Sequence, residues 1–197
     1  MISIFDYGAG NLRSVQNTLA EIGVPYHLID DADGLRHARK IVLPGVGHFG
    51  QMMRMLDAMR VRQVLLDRIK AGVPFLGICL GLQALFASSE EADDVAGLGL
   101  FPERVKRFSA DARVPHMGWN EIKPLKESSL LDNIGERPYL YFAHSYYAPV
   151  VDATAASCEY TVPYTAALAS ENVYGVQFHP EKSGPLGLRI VKNFVEL

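Results

Sequence analysis

Residues 73–83, VPFLGICLGLQ, constrain the fold more than any other stretch of the chain. The first half of this stretch is predominantly apolar, as is typical of a short buried strand. From Leu80 onward, the sequence LGLQALFA predicts a helix with apolar residues on most of its faces. Cys79 lies at the junction between Gly77 and Gly81, whose lack of side chains permits the close backbone approach of a sharp strand-to-helix turn.

This arrangement is the pattern of a nucleophile elbow, G-x-nucleophile-x-G, with cysteine in place of serine. The turn would lift the Cys79 sulfur clear of the sheet and place it at a helix N-terminus, where free N–H groups favour the thiolate. A free cysteine is more often a small buried apolar residue, but the two glycines favour a nucleophile here. Residues 71–89 also lack charge, although Pro74, the glycines and the acidic residues that follow argue against a membrane span.

Composition limits the classes of function. The chain has 197 residues, which predicts a single domain spanning 1–197, and its net charge of −3 indicates neither a nucleic-acid nor a membrane surface. Its N-terminus lacks the features of a signal peptide. The two cysteines, Cys79 and Cys158, form no disulfide framework, so we expect a reducing, cytoplasmic setting and a plain packed thiol at Cys158.

Strand and helix patterns alternate through the first half of the chain. The patterns predict strands at 2–6, 25–29, 40–43 and 73–78, and helices at 12–22 and at 49–71 with a break near Arg60. The turn YGAGN at 7–11 has Arg13 where a dinucleotide fingerprint needs its third glycine, so a Rossmann site is weakly supported. The alternation predicts an α/β fold with a doubly wound, mostly parallel sheet flanked by helices.

After Ser89, short stretches rich in β-forming residues replace this alternation. They lie at 104–108, 119–123, 139–143, 153–160, 165–170 and 173–178, and a final helix is predicted at 186–195. We therefore expect additional antiparallel strands in the C-terminal half, layered onto the α/β core.

A nucleophilic cysteine needs a base, and the base needs a group that orients it. His179 stands out among six histidines because Glu181 follows it two residues later, and side chains two apart point the same way in extended backbone. Pro180 favours that extended geometry for His179. Glu181 could then fix the imidazole tautomer and leave the other nitrogen for Cys79. His48, which follows a glycine turn, is the alternative base.

Acyl transfer also needs donors for an oxyanion. The backbone N–H of Leu80, directly after the proposed nucleophile, is one candidate. The turn that ends the 40–43 strand could supply the second donor from Gly45, Val46 or Gly47.

These motifs together resemble the class I (triad) glutamine amidotransferases. The resemblance runs from end to end of the chain, and within the family it is to the glutaminase subunits of imidazole glycerol phosphate synthases. It rests on DYGAGN at 6–11, PGVGHF at 44–49, GICLGLQ at 77–83, PHMGWN at 115–120, HSYY at 144–147 and FHPEKS at 178–183.

The resemblance implies an enzyme that hydrolyses glutamine to glutamate and ammonia through a thioester on Cys79, with His179 and Glu181 completing the triad. It implies that glutamine contacts Gln83, His144, Ser145 and Tyr146. It further implies that ammonia passes to a (β/α)₈-barrel cyclase partner, which makes imidazole glycerol phosphate in histidine biosynthesis.

The implied complex is a heterodimer, with Asn11, Trp119 and Lys182 near the docking face. For Trp119 a place in the core is an equal alternative, since tryptophan is enriched in both settings. No metal or organic cofactor is expected. Two other functions stay open: a stand-alone thiol hydrolase such as a γ-glutamyl peptidase, and a non-catalytic binding subunit that kept the fold.

Overall fold

The computed structural model describes residues 1–8 and 11–197, so part of the glycine turn predicted at 7–11 lies outside the described residues. In chain order the strands are β1 (Ile2–Phe5), β2 (Tyr26–Ile29), β3 (Ile41–Gly45), β4 (Phe75–Cys79), β5 (Phe86–Ser89), β6 (Ala92–Ala96), β7 (Phe101–Arg107), β8 (His116–Pro124), β9 (Tyr139–His144), β10 (Tyr146–Tyr147), β11 (Thr154–Glu159), β12 (Pro163–Ser170) and β13 (Val173–Val176). The helices are α1 (Leu12–Glu21), α2 (Ala32–His37), α3 (Phe49–Ala58), α4 (Arg62–Lys70), α5 (Leu80–Gln83) and α6 (Gly184–Glu196).

A nine-stranded sheet runs through the molecule in the order β2-β1-β3-β4-β13-β12-β11-β8-β9. The first five strands in this order, β2, β1, β3, β4 and β13, are parallel to one another. The last four, β12, β11, β8 and β9, continue the sheet with antiparallel pairing. Every residue of β1, β3 and β4 is buried, as parallel strands covered on both faces require. Strand β4, which ends in Cys79, therefore lies near the middle of the sheet.

Helices cover both faces of this sheet. Because side chains alternate along a strand, Leu76 and its neighbour Phe75 enter two different apolar cores. The core containing Phe75 packs against α3 and α4, through residues such as Leu56, whereas the core containing Leu76 packs against α1 and α6, through residues such as Leu19. The predicted doubly wound α/β architecture is confirmed.

The antiparallel strands are present, but their predicted layering onto the core is wrong for β8, β9, β11 and β12. These strands extend the main sheet edge to edge, because β12 hydrogen-bonds directly to β13. A separate four-stranded sheet, in the order β10-β7-β5-β6, is the part that lies outside the main sheet.

Two local predictions also differ from the structure. The helix expected from Leu80 through residue 87 ends at Gln83, because the chain turns at Leu85 and then pairs with β7 as strand β5. Helix α2 is absent from the sequence prediction. Asp31 caps this helix by accepting a hydrogen bond from the Gly34 N–H at 2.7 Å. That aspartate before a short helical run is a recognised start signal.

The break predicted near Arg60 is present between α3 and α4, where Arg60 has a φ of 57°. Within the described residues, no helix is long and apolar enough to cross a membrane.

Candidate active site

Cys79 occupies a strained turn between β4 and α5. Its φ of 54° and ψ of −106° place a non-glycine residue in a sparsely populated region of backbone space. A Cβ at Gly77 would lie 2.4 Å from the Gly81 carbonyl oxygen, and one at Gly81 would lie 2.0 Å from the Leu43 carbonyl oxygen. Only glycine fits at either position, so the sequence G-I-C-L-G produces the elbow that it predicted.

A cavity of about 320 Å³ opens beside Cys79. Most of the residues predicted for the site line it, namely Val46, Gly47, Cys79, Leu80, Gln83, His144, Ser145, Tyr146, His179 and Lys182. A larger open groove of about 900 Å³ lies elsewhere, along residues 124–132 and 169–174, and its lining contains neither cysteine nor histidine. The smaller cavity is the candidate active site because it contains the sulfur at the elbow.

His179 and Glu181 form a buried pair at the edge of this cavity. The Nδ1 of His179 lies 2.8 Å from Oε1 of Glu181, and both side chains are 3% exposed. His179 is extended, with φ −98° and ψ 96°, but Glu181 belongs to a 3₁₀ turn, Pro180–Lys182. The extended backbone predicted across both residues is therefore wrong, and the turn that starts at Pro180 brings the carboxylate to the ring instead.

The protonation of His179 follows from these neighbours. Burial lowers the pKa of His179, but its hydrogen bonds to Cys79 and Glu181, together with their negative charges, outweigh burial and raise the pKa to about 10. The imidazole therefore carries its proton at neutral pH, which is the state needed to protonate a leaving group.

Ser183, which the sequence reasoning missed, fixes the backbone at His179. Its hydroxyl donates to the His179 carbonyl at 2.6 Å and accepts from the Tyr141 N–H at 3.0 Å. The backbone N–H of His179 donates to the Tyr141 carbonyl at 2.8 Å. The segment that follows β13 is thereby tied to β9.

The alternative base, His48, is not brought to the cavity. It is exposed and caps α3, where its Nδ1 accepts from the Gly50 N–H at 3.1 Å. The structure therefore places His48 in a helix-capping role.

The candidate oxyanion donors fall into two groups. Leu80, Val46 and Gly47 line the cavity, and Gly47 has a φ of 96° that suits a glycine turn. Gly45 does not line the cavity, because it lies inside β3 directly opposite Cys79. A Cβ on Gly45 would meet the Leu80 Cβ at 2.7 Å, so this glycine permits the close packing of β3 against the elbow.

Residues 144–146, which internal hydrogen bonds hold in place, form one wall of the cavity. The carbonyl of Tyr146 accepts a hydrogen bond from Gln83 Nε2 at 2.8 Å and another from His144 Nδ1 at 2.8 Å. Gln83 Nε2 also lies 3.0 Å from Oε1 of Gln177, a fully buried residue that the sequence reasoning missed. Both polar atoms of His144 bond within the protein, so this side chain shapes the wall and does not offer a free donor to a ligand.

Glu91 adds a carboxylate to the cavity lining. Its Oε2 accepts from the N–H of Phe49 at the start of α3 at 2.7 Å. The sequence showed Glu91 as one of several acids after the apolar run, and nothing in the pattern separated it from them. A negative group in the cavity suits a ligand that carries a cationic amine.

Behind the wall lies a buried polar cluster made of His116, His144 and Tyr164. Nδ1 of His116 lies 3.3 Å from Nε2 of His144, within hydrogen-bond distance. The Tyr164 hydroxyl lies 3.2 Å from that Nδ1 atom of His116 and 3.3 Å from that Nε2 atom of His144. Burial lowers the pKa of His116 to about 4 and that of His144 to about 3, and in the second case the protonated His179 adds to the lowering. Both rings are neutral at neutral pH.

We expect this cluster to make the protein sensitive to acid. Since the unfolded histidines titrate near pH 6.5, the unfolded chain binds more protons than the folded chain between about pH 4 and pH 6.5. The free energy of unfolding should therefore fall as the pH drops through this window. Urea denaturation at about pH 7.5 and about pH 5 measures the fall, which should be smaller in His116→Gln. An equal fall in both proteins would contradict this origin.

Exposed apolar side chains lie on one side of the cavity mouth. Met117, which lines the cavity, is 65% exposed and Trp119 is 56% exposed, so the core position considered for Trp119 is wrong. The Trp119 ring meets Tyr141 edge-on at 6.2 Å, and the Lys182 ammonium lies 5.8 Å from the centre of the same Tyr141 ring. Trp119 and Lys182 therefore share one face of the molecule.

Asn11 precedes α1, where its side-chain oxygen accepts from the Ser14 hydroxyl at 2.9 Å.

In the part of the chain that the structure describes, no group of three or more histidine, cysteine, aspartate or glutamate side chains is arranged to hold a metal ion.

Comparison with known proteins places this site in a family. The family model of class-I glutamine amidotransferases matches residues 3–197. The chain is 48% identical to imidazole glycerol phosphate synthase subunit HisH of Methanothermobacter thermautotrophicus, with 100% of this chain and 98% of that protein covered. It is 46% identical to the subunit of the same name from Thermococcus kodakarensis, with 100% of both covered.

Solved structures support the fold. A crystal structure of a glutamine amidotransferase matches with a TM-score of 0.78 and 16% identity, and the match covers 99% of this chain and 97% of that one. PurLQS from Thermotoga maritima matches with a TM-score of 0.77 and 18% identity, over the same shares of the two chains.

Proposed function

This chain belongs to the class I glutamine amidotransferase family, and we propose that it hydrolyses glutamine to glutamate and ammonia through a thioester on Cys79. The observation that carries the proposal is the placement of Cys79 at a strained elbow, in one cavity with His179, whose Nδ1 contacts Glu181. A cavity of about 320 Å³ is also large enough for a small-molecule substrate such as an amino acid.

In the proposed first half-reaction, the Cys79 sulfur attacks the side-chain amide carbon of glutamine. The C–S bond forms as the carbonyl π electrons move to oxygen, which becomes an oxyanion near the N–H of Leu80 and the turn at Val46 and Gly47. The protonated His179 then gives its proton to the amide nitrogen. The C–N bond breaks, ammonia leaves, and a glutamyl thioester remains on Cys79.

In the second half-reaction, His179 acts in the opposite direction. Neutral after donating its proton, it accepts one from a water molecule that attacks the thioester carbon. A second oxyanion forms and collapses, the C–S bond breaks, and glutamate is released with the Cys79 sulfur regenerated. Glu181 keeps the imidazole oriented in both steps through the 2.8 Å contact to Nδ1.

We assign substrate recognition to the remaining polar lining. The carboxylate of Glu91 and the side-chain oxygen of Gln83 are suited to the α-amino group of glutamine, because both are acceptors at the cavity. The backbone N–H groups of the Ser145–Tyr146 segment are suited to the α-carboxylate. The bonds from Gln83 and His144 to the Tyr146 carbonyl would keep that segment in place.

We further infer that the ammonia is used by a partner subunit. Ammonia released to water at neutral pH becomes ammonium and loses its nucleophilicity, so a biosynthetic enzyme benefits from direct transfer. The relatives carry the name imidazole glycerol phosphate synthase subunit, and the partner we propose is a (β/α)₈-barrel cyclase that makes imidazole glycerol phosphate in histidine biosynthesis. The chain would act as one cytoplasmic domain, 1–197, in a heterodimer.

The proposed docking surface is the exposed patch at the cavity mouth, including Met117, Trp119 and Lys182, with Asn11 as a further contact. Exposed methionine and tryptophan are enriched at interface centres, and this patch adjoins the cavity from which ammonia must leave.

The partner test mixes the full chain with a purified barrel cyclase and its ribotide ligand. We expect a one-to-one complex in sedimentation and faster glutamate release when partner and ligand are present. Trp119→Ala should weaken the complex by about 30-fold, the effect of losing an interface hot spot of about 2 kcal/mol. As a matched control, Leu125→Ala removes an exposed apolar side chain that lines the remote groove, and it should leave binding unchanged.

The absence of a complex, with glutamate release unchanged by the partner, would contradict the docking proposal and favour the stand-alone hydrolase. Glutamine binding without turnover, alone or with the partner, would instead favour the non-catalytic subunit.

A further inference from the structure

The buried side chain of Gln177 contacts the sulfur of Cys79. Its Nε2 lies 3.6 Å from the sulfur, and the residue has no exposed surface. Strand β13 pairs in parallel with β4 and ends with Val176 opposite Ile78, and Gln177 follows directly after β13. This register places Gln177 beside Cys79, although 98 positions separate them in the chain.

The surroundings of Gln83 determine which end of the Gln177 amide faces the sulfur. A backbone carbonyl can only accept, so the end of Gln83 that lies 2.8 Å from the Tyr146 carbonyl is its nitrogen. The same nitrogen lies 3.0 Å from the Gln177 amide, which must present its oxygen there. The nitrogen of Gln177 is therefore the end that points at Cys79.

We propose that Gln177 is a positioning residue for the nucleophile, whose N–H holds the Cys79 sulfur and favours its negatively charged form. This inference rests on the proposed function, in which the sulfur attacks glutamine. A hydrogen bond to an ionised partner is stronger than one to a neutral partner, so this N–H stabilises the thiolate more than the thiol. The reversed amide would instead direct its oxygen at the sulfur and repel the thiolate. Gln83 therefore orients the Gln177 amide, and the oriented amide in turn favours the thiolate of Cys79.

Several other titratable groups surround Cys79. They are His179 with Glu181 behind it, Tyr7, Tyr164, and the cavity-lining His144, Glu91 and Lys182. All of them are retained in the Gln177 variants. Because Gln177→Leu adds no charge, a change in titration between Gln177→Leu and the wild type reports on the loss of the amide.

The test measures the alkylation of Cys79 by iodoacetamide in the full chain, from about pH 5 to about pH 10, with peptide mass mapping to separate Cys79 from Cys158. We expect Gln177→Leu to move the midpoint of the pH profile upward by about one pH unit, as expected for the loss of one hydrogen bond to a charged group. Gln177→Glu has the same shape and keeps an acceptor for Gln83, but it places an oxygen at the sulfur. The upward shift of the midpoint should be larger in Gln177→Glu than in Gln177→Leu.

Gln83→Met tests the orientation of the Gln177 amide separately, because it removes the donor without adding a charge. Loss of this donor should also shift the profile upward, although Gln83 is connected to the sulfur through Gln177. A matched control is Asn193→Leu, which removes a different buried amide that donates to the carbonyls of Leu130 and Asp132. This control should lower stability and leave the midpoint where it is in the wild type.

Circular dichroism identifies the variants that fold. Wild-type midpoints in the folded Gln177→Glu and Gln177→Leu proteins would overturn this inference and leave the glutaminase proposal standing. A wild-type Cys79 that resists alkylation across the whole pH range would contradict both.

Discussion

Cys79→Ala should reduce glutamate release to background, a loss of at least about 10⁴-fold, because the covalent intermediate forms on the sulfur that this change removes. The fold should persist. Alanine is smaller than cysteine, and both residues meet the same strain at a φ of 54°. The measurement is steady-state glutamate release with saturating glutamine, together with a circular dichroism spectrum of the variant.

Cys158→Ala is the matched control. Cys158 is also buried, in β11, and burial raises the pKa of its thiol to about 11, so it is neutral at the assay pH. We expect wild-type turnover from this variant. If Cys79→Ala kept substantial activity while Cys158→Ala lost it, the nucleophile would be misassigned.

His179→Ala should lower turnover by about 10²–10⁴-fold, the usual contribution of a positioned acid and base. The reason is specific to this site: the raised pKa of His179 makes the imidazole the proton donor for departing ammonia. The loss should fall on kcat more than on KM, since the ring acts on the reacting atoms. Single-turnover assays separate the release of ammonia from the hydrolysis of the thioester.

Two further variants test whether His179 is the base. Glu181→Gln should cost less than His179→Ala, because an amide in that place can still contact Nδ1 while it loses the charge that supports the imidazolium. His48→Ala should cost little, since His48 caps α3 outside the cavity. Full activity in His179→Ala, with a crippled His48→Ala, would show that the base is elsewhere.

The local features of the site could be predicted from the sequence because each is encoded by adjacent residues. The elbow needs glycine two positions before and two positions after Cys79, and the structure shows backbone atoms that exclude any larger residue there. The pairing of His179 with Glu181 needs only a turn between neighbours. The alternation of strands and helices similarly predicted the parallel strands β1 to β4, whereas β13, which pairs in parallel with β4, was expected among the antiparallel strands.

The parts that the sequence did not reveal depend on contacts between distant segments. Gln177 meets Cys79 only because β13 pairs with β4 in one register, and a single-sequence pattern does not contain that register. Glu91 enters the cavity because the loop between β5 and β6 folds back onto α3. The end of α5 at Gln83 was missed for the same reason, since pairing with β7 outweighs the helical pattern of the next residues.

The placement of the antiparallel strands was wrong for a related reason. Their β-forming composition is the same whether they extend a sheet or cover one, so composition could not distinguish the two arrangements. Pairing of β12 with β13 decided the outcome.

Covalent labelling tests the central claim most directly. The full chain would be treated with a glutamine analogue that carries a diazoketone in place of the side-chain amide, and the product analysed by intact mass and by peptide mapping. We predict one label per chain, located on Cys79, with excess glutamine slowing the reaction. A label on Cys158, equal labelling of both cysteines, or labelling that glutamine does not slow would contradict it.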